Sequence, residues 1–180
     1  MSLLKVAKLG HPVLREIAKP VPVSEIAGSQ IQHLIDNMID TMREYEGIGL
    51  AAPQVHESLQ IIVIEGLEFP EKSKQKPTPL TVLINPAVTW NSERLGDDWE
   101  GCLSIPDLRG IVPRYQEIRV QAHDREGKIQ EFKASGLQAR VIQHEYDHLI
   151  GKVFLERMRN LDSLCFLKEF GKFWKRHEED

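Results

Sequence analysis

The hydrophobic positions change period several times along the chain, and each change marks an element. Ile31, Leu34, Ile35, Met38, Ile39 and Met42 recur at helical spacing, the signature of a helix with one buried face. Ser29 is the expected N-cap and Gly47 the expected stop. The runs Ile61–Glu65 and Thr81–Ile84 are β-branched and read as strands. Between them, Leu67–Pro79 is rich in Lys and Pro and reads as a surface loop. Glu117–His123 alternates, with Ile118, Val120 and Ala122 on one face, and Gly127 offers a hairpin turn into a partner strand Ile129–Lys133. An apolar helix is expected from about Leu137 to Leu149, stopped by Gly151, and a last helix over about residues 161–175. The segment Gly47–Val55 is small, apolar and glycine-rich, and Gly10–Arg15 reads as loop and turn. The pattern predicts an α+β fold: antiparallel strands packed around one central helix, with further helices at the N- and C-terminal ends.

Composition narrows the class. With 180 residues, 41% hydrophobic and 28% charged, the chain is expected to form a single domain spanning residues 1–180 with a sizeable core. A net charge of −4 argues against dedicated nucleic-acid binding. No apolar run approaches the roughly 18–20 residues of a membrane span. Met1–Lys8 has neither the apolar core of a secretory signal nor the Arg/Ser-rich pattern of a transit peptide. Cys102 and Cys165 are the two cysteines, too few for a disulfide framework, so a reducing cytoplasm is the expected setting.

The chemistry concentrates in His144-Glu145-Tyr146-Asp147-His148. Two histidines four apart share a helix face and can reach one metal ion, and the Glu beside the first can serve as general base. The third ligand is not in the motif. Gly151 continues the pattern of one metalloprotease class, but Phe154 stands where that class carries its third His. Glu169 lies near the spacing of a downstream carboxylate ligand. Upstream, Cys102 in Glu100-Gly-Cys-Leu-Ser104 can complete a Cys-plus-two-His site with an open fourth position. A closed structural site of Cys102, Cys165, His144 and His148 is a further possibility. His11, His33, His56, His123 and His177 lack ligand spacing and read as structural or exposed.

Three segments, in this order, resemble the three signature motifs of the peptide deformylase family: Gly47-Ile-Gly-Leu-Ala-Ala-Pro-Gln54, Glu100-Gly-Cys-Leu-Ser104 and Gln143-His-Glu-Tyr-Asp-His148. His11–Arg15 and Ile84-Asn85-Pro86 are also similar to family segments, so the resemblance spans roughly residues 10–155. It implies removal of the formyl group from the N-terminal formylmethionine of nascent polypeptides, with release of formate. Cys102, His144 and His148 would bind one divalent metal, natively Fe(II), with Zn, Ni or Co as substitutes. Hydroxide generated at the metal would attack the formyl carbon, with Glu145 as general base. The Gln54 side-chain amide and the Leu103 backbone N–H would meet the oxyanion. Gly47, Ile48, Gly49, Leu137 and Val141 would bind the substrate and its methionine side chain. Glu100, Arg114 and Asp147 would orient the ligands. Arg140 and Val141 depart from what many relatives carry, which bears on the pocket's shape. A C-terminal helix bearing Lys168, Lys172, Lys175 and Arg176 would fit docking at the ribosome near the nascent-chain exit, or simply be a solvated face.

Overall fold

A computed structural model of the chain describes residues 2–66 and 79–175. Its frame is a five-stranded antiparallel sheet built from β1 (Gly49–Ala51), β2 (Ile61–Ile64), β3 (Thr81–Asn91), β6 (Glu117–His123) and β7 (Ile129–Ser135), in the order β1-β2-β3-β6-β7. A second sheet holds the hairpin β4 (Leu95–Cys102) and β5 (Ile105–Tyr115), with the short β8 (Cys165–Phe166) on the outer edge of β5. Among the described residues, three α-helices complete the fold: α1 (Ser29–Glu44), α2 (Gly136–Leu149) and α3 (Leu167–Phe173). This is a mixed α+β architecture with antiparallel sheets. Among the described residues, no helix is long and apolar enough to cross a membrane.

At β1 and β2 the larger sheet is buried on both faces, whereas β6 and β7 leave one face open to solvent. All four residues of β2 are buried, and alternate side chains point to opposite sides. Ile61 and Val63 pack with Ile35, Met38 and Met42 of α1, whereas Ile62 and Ile64 pack with Ala139, Ile142 and Leu149 of α2. A continuous apolar run such as Ile61–Ile64 is therefore a two-sided strand between helices. Strand β6 adds Ile118, Val120 and Ala122 to the α2 side. Truncating a fully buried side chain such as Leu83 to alanine is expected to cost about 2–5 kcal/mol. A third cluster, Cys102, Ile105, Val112, Val153 and Phe154, joins the β4–β5 hairpin to the segment after α2.

Several expectations from the sequence need correction. The N-cap of α1 is Gly28; Ser29 is the first helical residue and makes no capping bond. The last helix is Leu167–Phe173, shorter than residues 161–175, because Cys165 and Phe166 are drawn into β8 against Arg109 and Leu108. Strand β3 runs on to Asn91. The glycine-rich segment after α1 contains β1 and a 3-10 turn, Ala52–Val55. The β4–β5 hairpin carries no clear alternation and was not expected as strands. The surface-loop residues 67–78, together with Arg176 and His177, lie outside the described residues.

Candidate metal centre

Three elements converge on one point. Helix α2 presents His144 and His148 on one face. The β4–β5 hairpin presents Cys102, one position before its two-residue turn. Its register shifts between Glu100 and Cys102, a bulge of the kind that re-aims side chains beside functional sites. The 3-10 turn after β1 supplies Gln54. The ends of this assembly are pinned by the N-terminal arm, where the Ala7 N–H donates to Gln54 O at 2.7 Å and the Leu9 N–H to Ser104 O at 2.8 Å. Gly151 closes α2 at φ +72°. A Cβ there would stand 2.6 Å from Arg15 O, so glycine is required on two counts.

Ligand atoms of Cys102, His144 and His148 lie within 4.8 Å of one another, and all three residues are buried. Cys102 Sγ is 3.3 Å from His148 Nε2. His144 Nδ1 donates to Glu100 Oε2 at 2.8 Å, which leaves Nε2 as its free ligand atom. One soft thiolate and two imidazoles, with atoms converging at this range, fit a divalent transition metal. Cys102 and His144 pair as thiolate and imidazolium, and a bound ion would displace the His144 Nε2 proton. Burial alone would raise the Cys102 thiol, but His148 and His144 outweigh it and hold the thiol well below its usual value. Burial disfavours the His144 imidazolium, but Cys102 and Glu100 outweigh it and hold the ring well above its usual value. A thiol this acidic stands ready as the thiolate that ligates a metal.

Glu145 is buried, and its Oε2 has no hydrogen-bond partner. Desolvation raises its carboxyl, which is the direction a general base working near neutrality needs. Gln54 is held by both ends of its amide. Oε1 accepts from the Ala51 N–H at 2.8 Å, and Nε2 sits 3.5 Å from Cys102 Sγ and 3.3 Å from Ser104 Oγ. Its N–H groups therefore face the site.

Behind the ligands lies a buried ionic network. Arg114 grips Glu100 through Nε to Oε1 at 2.9 Å and Nη2 to Oε2 at 3.0 Å. Its Nη1 donates to Asp147 Oδ2 at 2.6 Å. Asp147 also accepts from Arg157 Nε at 3.0 Å. Burial would raise both carboxyls, but their cationic partners outweigh it and hold Glu100 well below the usual carboxylate range and Asp147 below it. Arg140 belongs to the same network and donates from Nη1 to Glu100 Oε1 at 2.9 Å. From the sequence Arg140 reads as a departure in the pocket, and nothing in the local pattern marks Arg157. An arginine on a helix reads as solvent-facing unless its distant partners are known.

A cavity of about 600 Å³ opens beside these residues. Gly47, Ile48, Gly49, Leu137 and Val141 all line it, as do Gln54, Leu103, His144 and Glu145. Trp99, Arg109 and Leu167 form parts of its wall that the sequence did not single out. Gly49 has a specific reason: a Cβ there would stand 2.6 Å from Glu145 Oε1. Of the other proposed ligands, neither Glu169 nor Cys165 joins the cluster, which is Cys102, His144 and His148 among the described residues.

The family model described as polypeptide deformylase matches residues 3–163. Peptide deformylase 2 of Pseudomonas putida is 44% identical over 156 residues, covering 86% of this chain and 87% of its own length. Peptide deformylase 1 of Bordetella pertussis is 43% identical over 157 residues, covering 87% of this chain and 88% of its own. The Met-Ala-Ser-bound crystal structure of class I type b peptide deformylase from Acinetobacter baumannii superposes with a TM-score of 0.82 at 37% identity, covering 87% of this chain and 99% of that one. With the family match spanning nearly the whole fold and a thiolate–imidazole cluster that can hold the metal, the chain belongs to the polypeptide deformylase family and is a metal-dependent deformylase.

Proposed function

We propose that the chain removes the formyl group from the N-terminal formylmethionine of nascent polypeptides, with one divalent metal on Cys102, His144 and His148. The observation that carries this reading is the convergence of those three ligand atoms beside an unpartnered, buried Glu145 carboxylate. The whole chain works as one catalytic domain, with α2 as its central helix. Fe(II) is the native ion on family grounds, and Zn, Ni or Co can take its place, since the donor set suits several transition metals. A metal held there supplies Lewis acidity and brings the pKa of water at the site towards neutrality. Glu145 takes a proton from that water and returns it to the departing amine nitrogen. Attack of the deprotonated water on the formyl carbon shifts the C=O π electrons to the formyl oxygen, and Gln54 Nε2 and the Leu103 N–H stabilise the oxyanion there.

The methionine side chain occupies the slot formed by Ile48, Leu137 and Val141, with Gly47 and Gly49 allowing close backbone approach. The Met-Ala-Ser peptide bound to the Acinetobacter enzyme supports a peptide lying in the corresponding cavity here. Glu100 holds His144 in place, and Arg114 ties Glu100 to Asp147. Work on nascent chains in a bacterial-type cytoplasm, with α3 near the ribosome, completes the proposal. Formate release from formyl-Met-Ala-Ser by anaerobically purified protein tests it. Turnover above a Glu145→Ala control is expected, and its absence would overturn the reading.

A further inference from the structure

Arg140 stands four residues before His144 on α2, so both side chains leave the same helix face. Both end on Glu100, at opposite oxygens. Arg140 Nη1 donates to Oε1 at 2.9 Å and His144 Nδ1 to Oε2 at 2.8 Å. Arg114 bridges the two oxygens through Nε and Nη2. Glu100 thus receives four N–H groups, two on each oxygen, while 6% exposed. Arg140 is itself 9% exposed and anchored twice more, to Val112 O at 2.8 Å and Gly96 O at 2.6 Å. A single forked pair such as Arg114–Glu100 is planar and can hinge about the line joining the two groups. A third donor from a different element removes that freedom.

We infer that Arg140 is a positioning residue for the metal site: it locks the Glu100 carboxylate so that Oε2 holds His144 in the tautomer that points Nε2 at the metal. This deepens the metal-site reading above and rests on it. Carboxylates that orient a ligating imidazole set its ring angle and basicity, and losing such a partner typically costs about 10–100-fold in metal affinity. The arrangement uses one helix to supply both the ligand and the brace. It also ties the ligand's orientation to the β4–β5 hairpin that carries Cys102, through the Gly96 and Val112 carbonyls. An arginine that only joined the hairpin to the helix would contribute to stability and leave the metal's affinity alone.

A double-mutant cycle on Zn(II) affinity separates the two roles. Metal-stripped wild type, Arg140→Met, Glu100→Gln and the double variant are titrated against a chromophoric chelator of known affinity, with circular dichroism verifying the fold of each. The expected result is a loss of about 10–100-fold for each single variant and no further loss in the double variant, because Arg140 acts through Glu100. Wild-type affinity in Arg140→Met, or losses that multiply in the double variant, would overturn the inference and leave the metal-site reading standing. Failure of the wild type itself to bind Zn(II) would overturn both. Should Arg140→Met not fold, Arg140→Lys decides. A single ammonium cannot serve Glu100, Val112 O and Gly96 O together, so a loss of about 10-fold is expected, and unchanged affinity would overturn the inference.

Discussion

The Glu145 carboxylate lies so close to the backbone of Gly49 that a Cβ on residue 49 would stand 2.6 Å from Oε1. Strand β1 and helix α2 therefore meet through the proposed base, and the glycine is what permits the approach. Gly49→Ala should push the carboxylate aside while leaving Cys102, His144 and His148 untouched. Displacements of about 1 Å can cost roughly 100-fold. Expected is a fall of that order in kcat with metal content per chain unchanged; full activity in the alanine variant would contradict the assignment.

Glu145→Gln keeps the shape of the side chain and removes its capacity to take a proton. Positioned acid–base groups are worth about 10²–10⁴ in rate. Formate release should drop by that factor while metal analysis still finds one ion per chain. A variant that loses metal and activity together would make Glu145 a ligand rather than a base.

Gln54 offers a different signature. Its amide is clamped by the Ala51 N–H and faces Cys102 Sγ and Ser104 Oγ. Gln54→Leu removes the proposed oxyanion donor, for which a loss of about 10²–10³ in kcat is expected with KM little changed. A rise in KM alone, with kcat preserved, would place Gln54 in ground-state binding instead.

The ionic network makes a pH prediction for the metal-stripped protein. Despite burial, Arg157 and Arg114 hold Asp147 below the usual carboxylate range, and Glu100 is depressed by its own partners. A carboxyl with a depressed folded pKa contributes stability that is fully present above its unfolded value of about 4. That contribution is lost as pH falls through the folded value. Read as the difference in urea midpoint between wild type and Asp147→Asn, in which the Cys102 and His144 titrations cancel, that contribution should hold steady from pH 7 to about 5 and fall below about 4. Asp147→Asn should be less stable at pH 7 and show a shallower decline. An equally steep decline in that variant would remove Asp147 from the account.

What could be read from the sequence was what repeats locally. The stripe from Ile31 to Met42, the alternation at Ile118–Ala122 and the four-residue spacing of His144 and His148 each announce their element, because burial on one face leaves its period in the residues. The β4–β5 hairpin left no such trace. Asp97, Asp98, Pro106, Asp107 and Pro113 interrupt it, and its inward side chains include the charged Glu100 and Arg114. Cys102 entered as one of several third ligands and was singled out by a family pattern, since nothing local to residue 102 points to residues 144 and 148. Gly49 was read for substrate approach, yet the contact that requires glycine is with Glu145. Arg140 was opaque for the same reason. Its three partners lie 28 to 44 residues away in sequence, and only the folded chain turns a polar helix position into a buried one.

The central claim is that one metal on Cys102, His144 and His148 carries deformylation. It is tested most directly by measuring metal stoichiometry and formate release together in Cys102→Ala and Glu169→Ala. The expected result is one ion per chain and full turnover in Glu169→Ala, with both lost in Cys102→Ala. Retention of metal and turnover in Cys102→Ala, or their loss in Glu169→Ala, would contradict it.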